Sequence, residues 1–282
     1  MIKFGPSGNS ESFYAMGYKS TEQVPTYLID KGLDCFEYSF GRGVNMGDEK
    51  AVSIGESFKK GNLEISVHAP YYVNFANEDS EKISASINYV IESAQKVKLM
   101  GGKRVVFHPA SQGKLSRERA NEIMVENFKK LTAMIYSNNL EDLIFCPETM
   151  GKIGQMGTPE EIANLCKLDK VYIPTIDFGH VNSRFQGSLK NTTDYLDLLN
   201  LFLSELGQEK MQNFHAHFSK IQYSKGGEVR HLTFEDQQYG PEFTPLAICL
   251  KQLKLEPYII CESAGTQAED SEEMKKIYNS IK

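Results

Sequence analysis

Six histidines, His68, His108, His180, His215, His217 and His231, are the residues of this chain best suited to chemistry, and five of them sit in or just after short apolar runs. Carboxylates share that placement, for Glu148, Asp177 and Glu262 each lie at the end of such a run. A lone histidine in a strand is usually packed or hydrogen-bonded in a core. Here one run after another ends in a histidine or a carboxylate, which calls for a common cause. Gathering carboxylates in a buried site is costly, because desolvation penalises each charge and like charges raise one another's pKa. Cations remove that cost. Imidazole nitrogen mixed with carboxylate oxygen is a donor set for zinc, manganese or iron, with zinc favoured as histidines increase.

The elements that must position these residues are legible as eight apolar runs: MIKFGP, DCFEYSF, LEISVHAP, KRVVFHPA, DLIFCPETM, VYIPTIDFGH, MQNFHAHFS and PYIICES. Strands buried on both faces read as continuous apolar stretches, and alternation with helices calls for a parallel sheet. The intervening segments keep a helical period: Ile83, Ile87, Val90, Ile91, Ala94 and Val97 before the stop at Gly101-Gly102, then Met124, Phe128, Leu131 and Ile135. Leu196, Leu199, Leu203 and Leu206 form a further stripe, and Thr158-Pro159-Glu160-Glu161 is a capping box with proline at the first helical position. The pattern predicts an α/β fold, a (β/α)8 TIM barrel forming a single domain over 1–282. In such a barrel the C-terminal strand ends converge on one face, where active sites are built.

Composition bounds the rest. With 40% hydrophobic and 24% charged residues the 282-residue chain can bury a sizeable core. The opening MIKFGPSGNS reads as neither signal peptide nor anchor, and no run approaches the length of a membrane span. The five cysteines are scattered and lack CxxC spacing, and several sit in apolar runs and read as buried thiols of a reducing cytoplasm. A formal net charge of −6 does not advertise a nucleic-acid binder, although bound cations would offset it locally. Gly-rich phosphate loops, Ser-His-Asp ordering and CxxC pairs are absent, which removes support for nucleotide hydrolysis and thiol redox chemistry.

The segments VHAPYYVN, VVFHPAS, CPETMG, IDFGHVNSR and HFSK, followed by the His231 segment and ICES, resemble in order and spacing the strand-end motifs of the endonuclease IV family, over about residues 64 to 263. That resemblance implies a DNA-repair hydrolase with two or three Zn2+ ions, Mn2+ being the alternative, that cuts double-stranded DNA on the 5′ side of an abasic site and leaves a 3′-hydroxyl. It implies no membrane and no protein partner. Carried over, His68 and His108 hold one ion, which Glu148, the residue at the catalytic centre, bridges to a second. Asp177, His217 and Glu262 complete the second site, and His180 with His231 hold a third. A hydroxide made between two metals then attacks phosphorus and no separate protein base is required.

The chain departs from the family at the third site, where Asp-x-His is expected and Glu228-Val229-Arg230-His231 stands. Valine cannot ligate. Either a register shift places the Glu228 carboxylate on the ion, or Glu228 is a solvated loop residue and the third site is weak. Arg42, Tyr71 and Arg184 are the candidate substrate contacts, arginine for phosphate and tyrosine for the gap left by an extruded nucleotide. His215, two residues from His217, reads as packed lower in the barrel or as orienting a ligand, and Glu37 as salt-bridged or helix-facing in preference to reaching the site. The rival on the same fold is a single-metal sugar isomerase or epimerase of the xylose-isomerase-like barrels, which Glu148, Asp177, His217 and Glu262 alone would satisfy. A barrel that binds without catalysis is the third class.

Overall fold

The eight apolar runs form eight short strands: β1 (Lys3–Pro6), β2 (Cys35–Ser39), β3 (Glu64–His68), β4 (Arg104–Phe107), β5 (Ile144–Pro147), β6 (Thr175–Asp177), β7 (His215–Phe218) and β8 (Tyr258–Cys261). They are seen in a computed structural model, which describes residues 1–281. All pair in parallel, in two arcs of order β2-β3-β4-β5 and β1-β8-β7-β6. Parallel bridges Ser7–Glu37, Phe145–Tyr172 and Glu148–Thr175 join the arcs into a closed ring. The protein is a (β/α)8 barrel.

Helices cover the outside as the apolar periods require. The helix Ser80–Leu99 buries Ile83, Ile87, Val90, Ile91, Ala94 and Val97, and its first turn is capped by the Asp79 carboxylate, which accepts from the Glu81 amide. The Thr158 capping box forms with both of its reciprocal bonds. The stripe on helix Thr192–Met211 differs from the sequence reading: Tyr195, Leu198, Leu199 and Phe202 are buried, and Leu196, Leu203 and Leu206 are only partly covered. The two aromatics have more apolar area to bury than the leucines beside them, so they set the inward face. Among the described residues no helix is long and apolar enough to cross a membrane.

The C-terminal face carries small additions. Ala110–Ser111 pairs antiparallel with Gln155–Met156, and a hairpin of Ile221–Ser224 with Gly227–His231 follows β7. Directly after β6 runs a short helix, Phe178–Arg184, capped by Asp177, whose carboxylate accepts from the His180 amide at 2.7 Å.

Candidate metal centre

Strand ends and additions bring the expected residues together. Glu148 is central: Oε2 lies 3.2 Å from His68 Nε2 and 3.4 Å from His108 Nε2, while Oε1 lies 3.1 Å from His217 Nδ1 and 3.2 Å from His180 Nδ1. Three donor groups of metal-site dimensions result: His68, His108 and Glu148; Glu148, Asp177, His217 and Glu262; and His180, Glu228 and His231. A fourth group, Glu37 with His215 and His217, lies deeper.

The rings are oriented from behind. His68 Nδ1 is 2.8 Å from the Ala69 carbonyl, His180 Nδ1 is 2.9 Å from the Thr149 carbonyl, and His231 Nδ1 is 2.8 Å from the Ser219 hydroxyl. The His68 and His231 contacts occupy Nδ1 and leave Nε2 to face the neighbouring donors, the support expected behind metal-ligating histidines. His180 Nδ1 also lies 3.2 Å from Glu148 Oε1 and 3.3 Å from Asp177 Oδ2, while its Nε2 faces Glu228. His217 is reversed: Nδ1 faces Glu148 and Glu262, and Nε2 faces Glu37.

Backbone geometry accounts for Glu228. The hairpin register slips between Gln222 and Tyr223, whose partners are Arg230 and Glu228, so Val229 is the extra residue of a β-bulge. In a regular strand 229 and 231 share a face. The bulge instead puts Glu228 and His231 on the inner face and leaves Val229 half exposed. Glu228 Oε2 then lies 3.4 Å from His180 Nε2, and Oε1 lies 4.0 Å from His231 Nε2. Two glycines admit the hairpin: a Cβ on Gly151 would meet Glu228 Cβ at 2.8 Å and His180 Cδ2 at 2.9 Å, and one on Gly227 would meet the Gly151 carbonyl oxygen at 2.2 Å.

The donor set fits cations electrostatically. Burial drives the Asp177 carboxyl up to about 6, with Glu262 and Glu148 adding to the rise and His180 opposing it, and Asp177 Oδ2 has no hydrogen-bond partner. Burial also works against the Glu148 carboxylate, but the charge of His217 and bonds from His108, His180 and His217 outweigh it and hold the group well below the usual range. A cluster whose carboxylates stay charged only by borrowing protons on neighbouring histidines is one that a cation would relieve.

Residues 26–280 match the family model described as xylose isomerase-like TIM barrel. The chain belongs to that family. An uncharacterized protein of Methanocaldococcus jannaschii is 31% identical over 249 residues, 88% of each chain. A protein named probable endonuclease 4 of Mycoplasma mobile is 32% identical over 114 residues, 40% of this chain and 38% of that protein. Among solved structures, a D-tagatose 3-epimerase-like protein superposes with a TM-score of 0.72 at 20% identity, covering 99% of this chain and 98% of that one. Endonuclease IV from Thermus thermophilus superposes at 0.66 with 16% identity over 99% of this chain and 98% of that chain. These structural likenesses establish the shared barrel and do not choose between its chemistries.

As in other barrels, the opening lies over the strand ends. A cavity of about 240 Å³ is lined by the candidate donors together with Ser7, Ser39, Gly41, Tyr71, Lys152 and Gln155. A larger hollow of about 690 Å³ opens at the opposite end, beside Lys3, Glu64, Arg104 and Tyr258, and contains no histidine. We place the site in the smaller one, where the donors converge. Tyr71 stands at its rim, half exposed and 4.3 Å, ring to ring, from Tyr72. Arg42 is exposed beside Gly41. Arg184 is elsewhere than expected: its guanidinium donates to the carbonyls of Met150, Lys152, Ile153 and Gln155, bracing the loop after β5 rather than facing the cavity. That loop puts Lys152 at the rim, a cation the sequence did not single out because a lone lysine in a glycine-rich stretch carries no signal.

Proposed function

We propose that this protein is a metal-dependent phosphodiesterase that resembles endonuclease IV and cleaves duplex DNA on the 5′ side of an abasic site. The observation that carries the reading is the surplus of donors. A single-metal epimerase needs Glu148, Asp177, His217 and Glu262, and that group is present. It has no use for two further groups, His68 with His108 and His180 with Glu228 and His231, each sharing or abutting the first. A polynuclear phosphoesterase uses all three.

When bound, zinc ions would supply Lewis acidity, polarising the phosphoryl oxygens and acidifying the attacking water. The chain's own residues would do the rest. Glu148 holds the first two groups in register, and the Gly151–Gly227 contact seats the third. Lys152 and Arg42 at the rim offer positive charge to flanking phosphates, and Tyr71 offers a ring to the gap beside the lesion. The cavity of about 240 Å³ is smaller than a typical small-ligand site of about 300–1,000 Å³, which suits a sugar phosphate without its base. Such an enzyme would act in the cytoplasm, and its five buried, unpaired thiols fit a reducing compartment.

The test is the ion count. Elemental analysis of the purified protein should find three zinc-class ions per chain. One ion per chain, with epimerisation of a ketohexose, would replace this reading with the epimerase.

A further inference from the structure

Beneath the candidate centre lies the carboxylate of the fourth, deeper group, which the three groups above it do not use. Glu37, on β2, is completely buried, and its partners come from across the barrel interior: Oε1 lies 2.9 Å from His217 Nε2 and Oε2 lies 3.0 Å from His215 Nε2. Ser66, its register partner on β3, donates its hydroxyl to Oε2 at 2.9 Å. His215 and His217 lie two apart on β7 and so point inward together, one layer above the other. The two histidine contacts are within hydrogen-bonding distance, although the ring N–H directions lie off the line to the carboxylate oxygens.

We propose that Glu37, seated by Ser66 and His215, is a positioning residue for His217. The inference rests on the metal-site reading above. For His217 to ligate through Nδ1, the nitrogen that faces Glu148 and Glu262, its one remaining proton must sit on Nε2, and Glu37 is the carboxylate that faces it, at 2.9 Å. The other three oriented rings lean on two backbone carbonyls and a hydroxyl through Nδ1 and present Nε2. His217 alone among these four turns Nε2 rather than Nδ1 to its support, and that support is the Glu37 carboxylate. A carboxylate behind an imidazole fixes its tautomer and makes it a more basic ligand. With both side chains sealed from water, solvent does not screen the effect. Glu37 thus acts on the ion of the Glu148–Asp177–His217–Glu262 group and leaves the other two groups untouched.

The test uses the full-length protein, zinc as the probe, and two readouts besides activity. Long-range proton–nitrogen NMR on the zinc-loaded wild type should show His217 protonated at Nε2 and liganded at Nδ1. Competitive zinc titration of Glu37→Gln, which keeps the volume and removes the charge, should show one ion weakened about tenfold to a hundredfold and the others unchanged. A His217 proton on Nδ1, or wild-type affinity for every ion in Glu37→Gln, overturns the positioning role and leaves the metal reading standing. Failure of the wild type to take up zinc overturns the metal reading itself. A further ion that both Glu37→Gln and His215→Ala lose would make Glu37 and His215 ligands, which also overturns the proposal.

Discussion

Replacing Glu228 by alanine removes the carboxylate that the bulged hairpin holds between His180 and His231, at 3.4 and 4.0 Å. Two imidazoles remain of a three-donor group. Residues that merely touch a ligand cost about tenfold to a hundredfold in metal affinity when removed. A direct donor should therefore cost more than about a hundredfold, about 2.8 kcal/mol at 1.4 kcal/mol per decade. The fold should lose under about 1 kcal/mol, because backbone bonds from Glu228 to Gly151 and from Ile153 to Gly226 seat the hairpin without the carboxylate, and partly exposed ion pairs add little. The assay is ion content after gel filtration, with incision of an abasic duplex measured on the same sample. The expected result is two ions in place of three, and a rate lower by on the order of a hundredfold to a thousandfold. Building the Asp-x-His order that the endonuclease IV resemblance implies, in Glu228→Ala/Val229→Asp, should not bring back the third ion, because the bulge turns position 229 to solvent. Three tightly held ions in Glu228→Ala, or recovery in the double variant, would refute the reasoning.

Gly151→Ala should be worse than its size suggests. The new methyl meets Glu228 and His180 below 3.0 Å, so a cost of about 1–3 kcal/mol in stability, read as a fall in Tm, should accompany loss of the third ion. Arg184→Ala should loosen the loop after β5 and cost about 1–2 kcal/mol, because Arg117 still bonds the Gln155 carbonyl. The slope of DNA affinity against salt should stay unchanged, whereas losing a phosphate contact would reduce it by about one. In the metal-free protein, burial lowers His68 but bonding to and the charge of Glu148 lift it from 6.5 to about 9, a stabilisation complete below pH 6.5 and lost as pH rises through 9. Burial raises Glu262 but His217 pulls it from 4.5 to about 2, a stabilisation present above pH 4.5 and lost as pH falls through 2. Asp177, raised from 3.8 to about 6 chiefly by burial, opposes folding as it ionises across that range. Metal-free Tm should therefore peak at about pH 4, where Glu262 is largely ionised and Asp177 is not, and zinc binding at pH 7 should release protons, measurable by calorimetry in two buffers of different ionisation enthalpy.

What the sequence disclosed follows from which features are local. Each barrel strand is an apolar run buried on both faces, so the eight strands and the donors at their ends could be read from residue type and position. Glu228 could be named only as one of two options, because a bulge is a property of the pairing and Gln222 and Tyr223 had first to be known as its partners. Arg184 follows the His180 segment closely enough to look like a site residue, yet the direction of a short helix decides that it faces the loop. Glu37 reads as an ordinary strand glutamate because its partners His215 and His217 are brought to it only by closure of the barrel.

The central claim is phosphodiester cleavage at a site holding several ions, and the most direct measurement is incision of a duplex with a single abasic site by the zinc-loaded protein. Cutting on the 5′ side, leaving a 3′-hydroxyl that a polymerase extends and ceasing on chelation, is the expected result. An uncut duplex from a preparation that carries one ion per chain and epimerises a ketohexose would contradict the account.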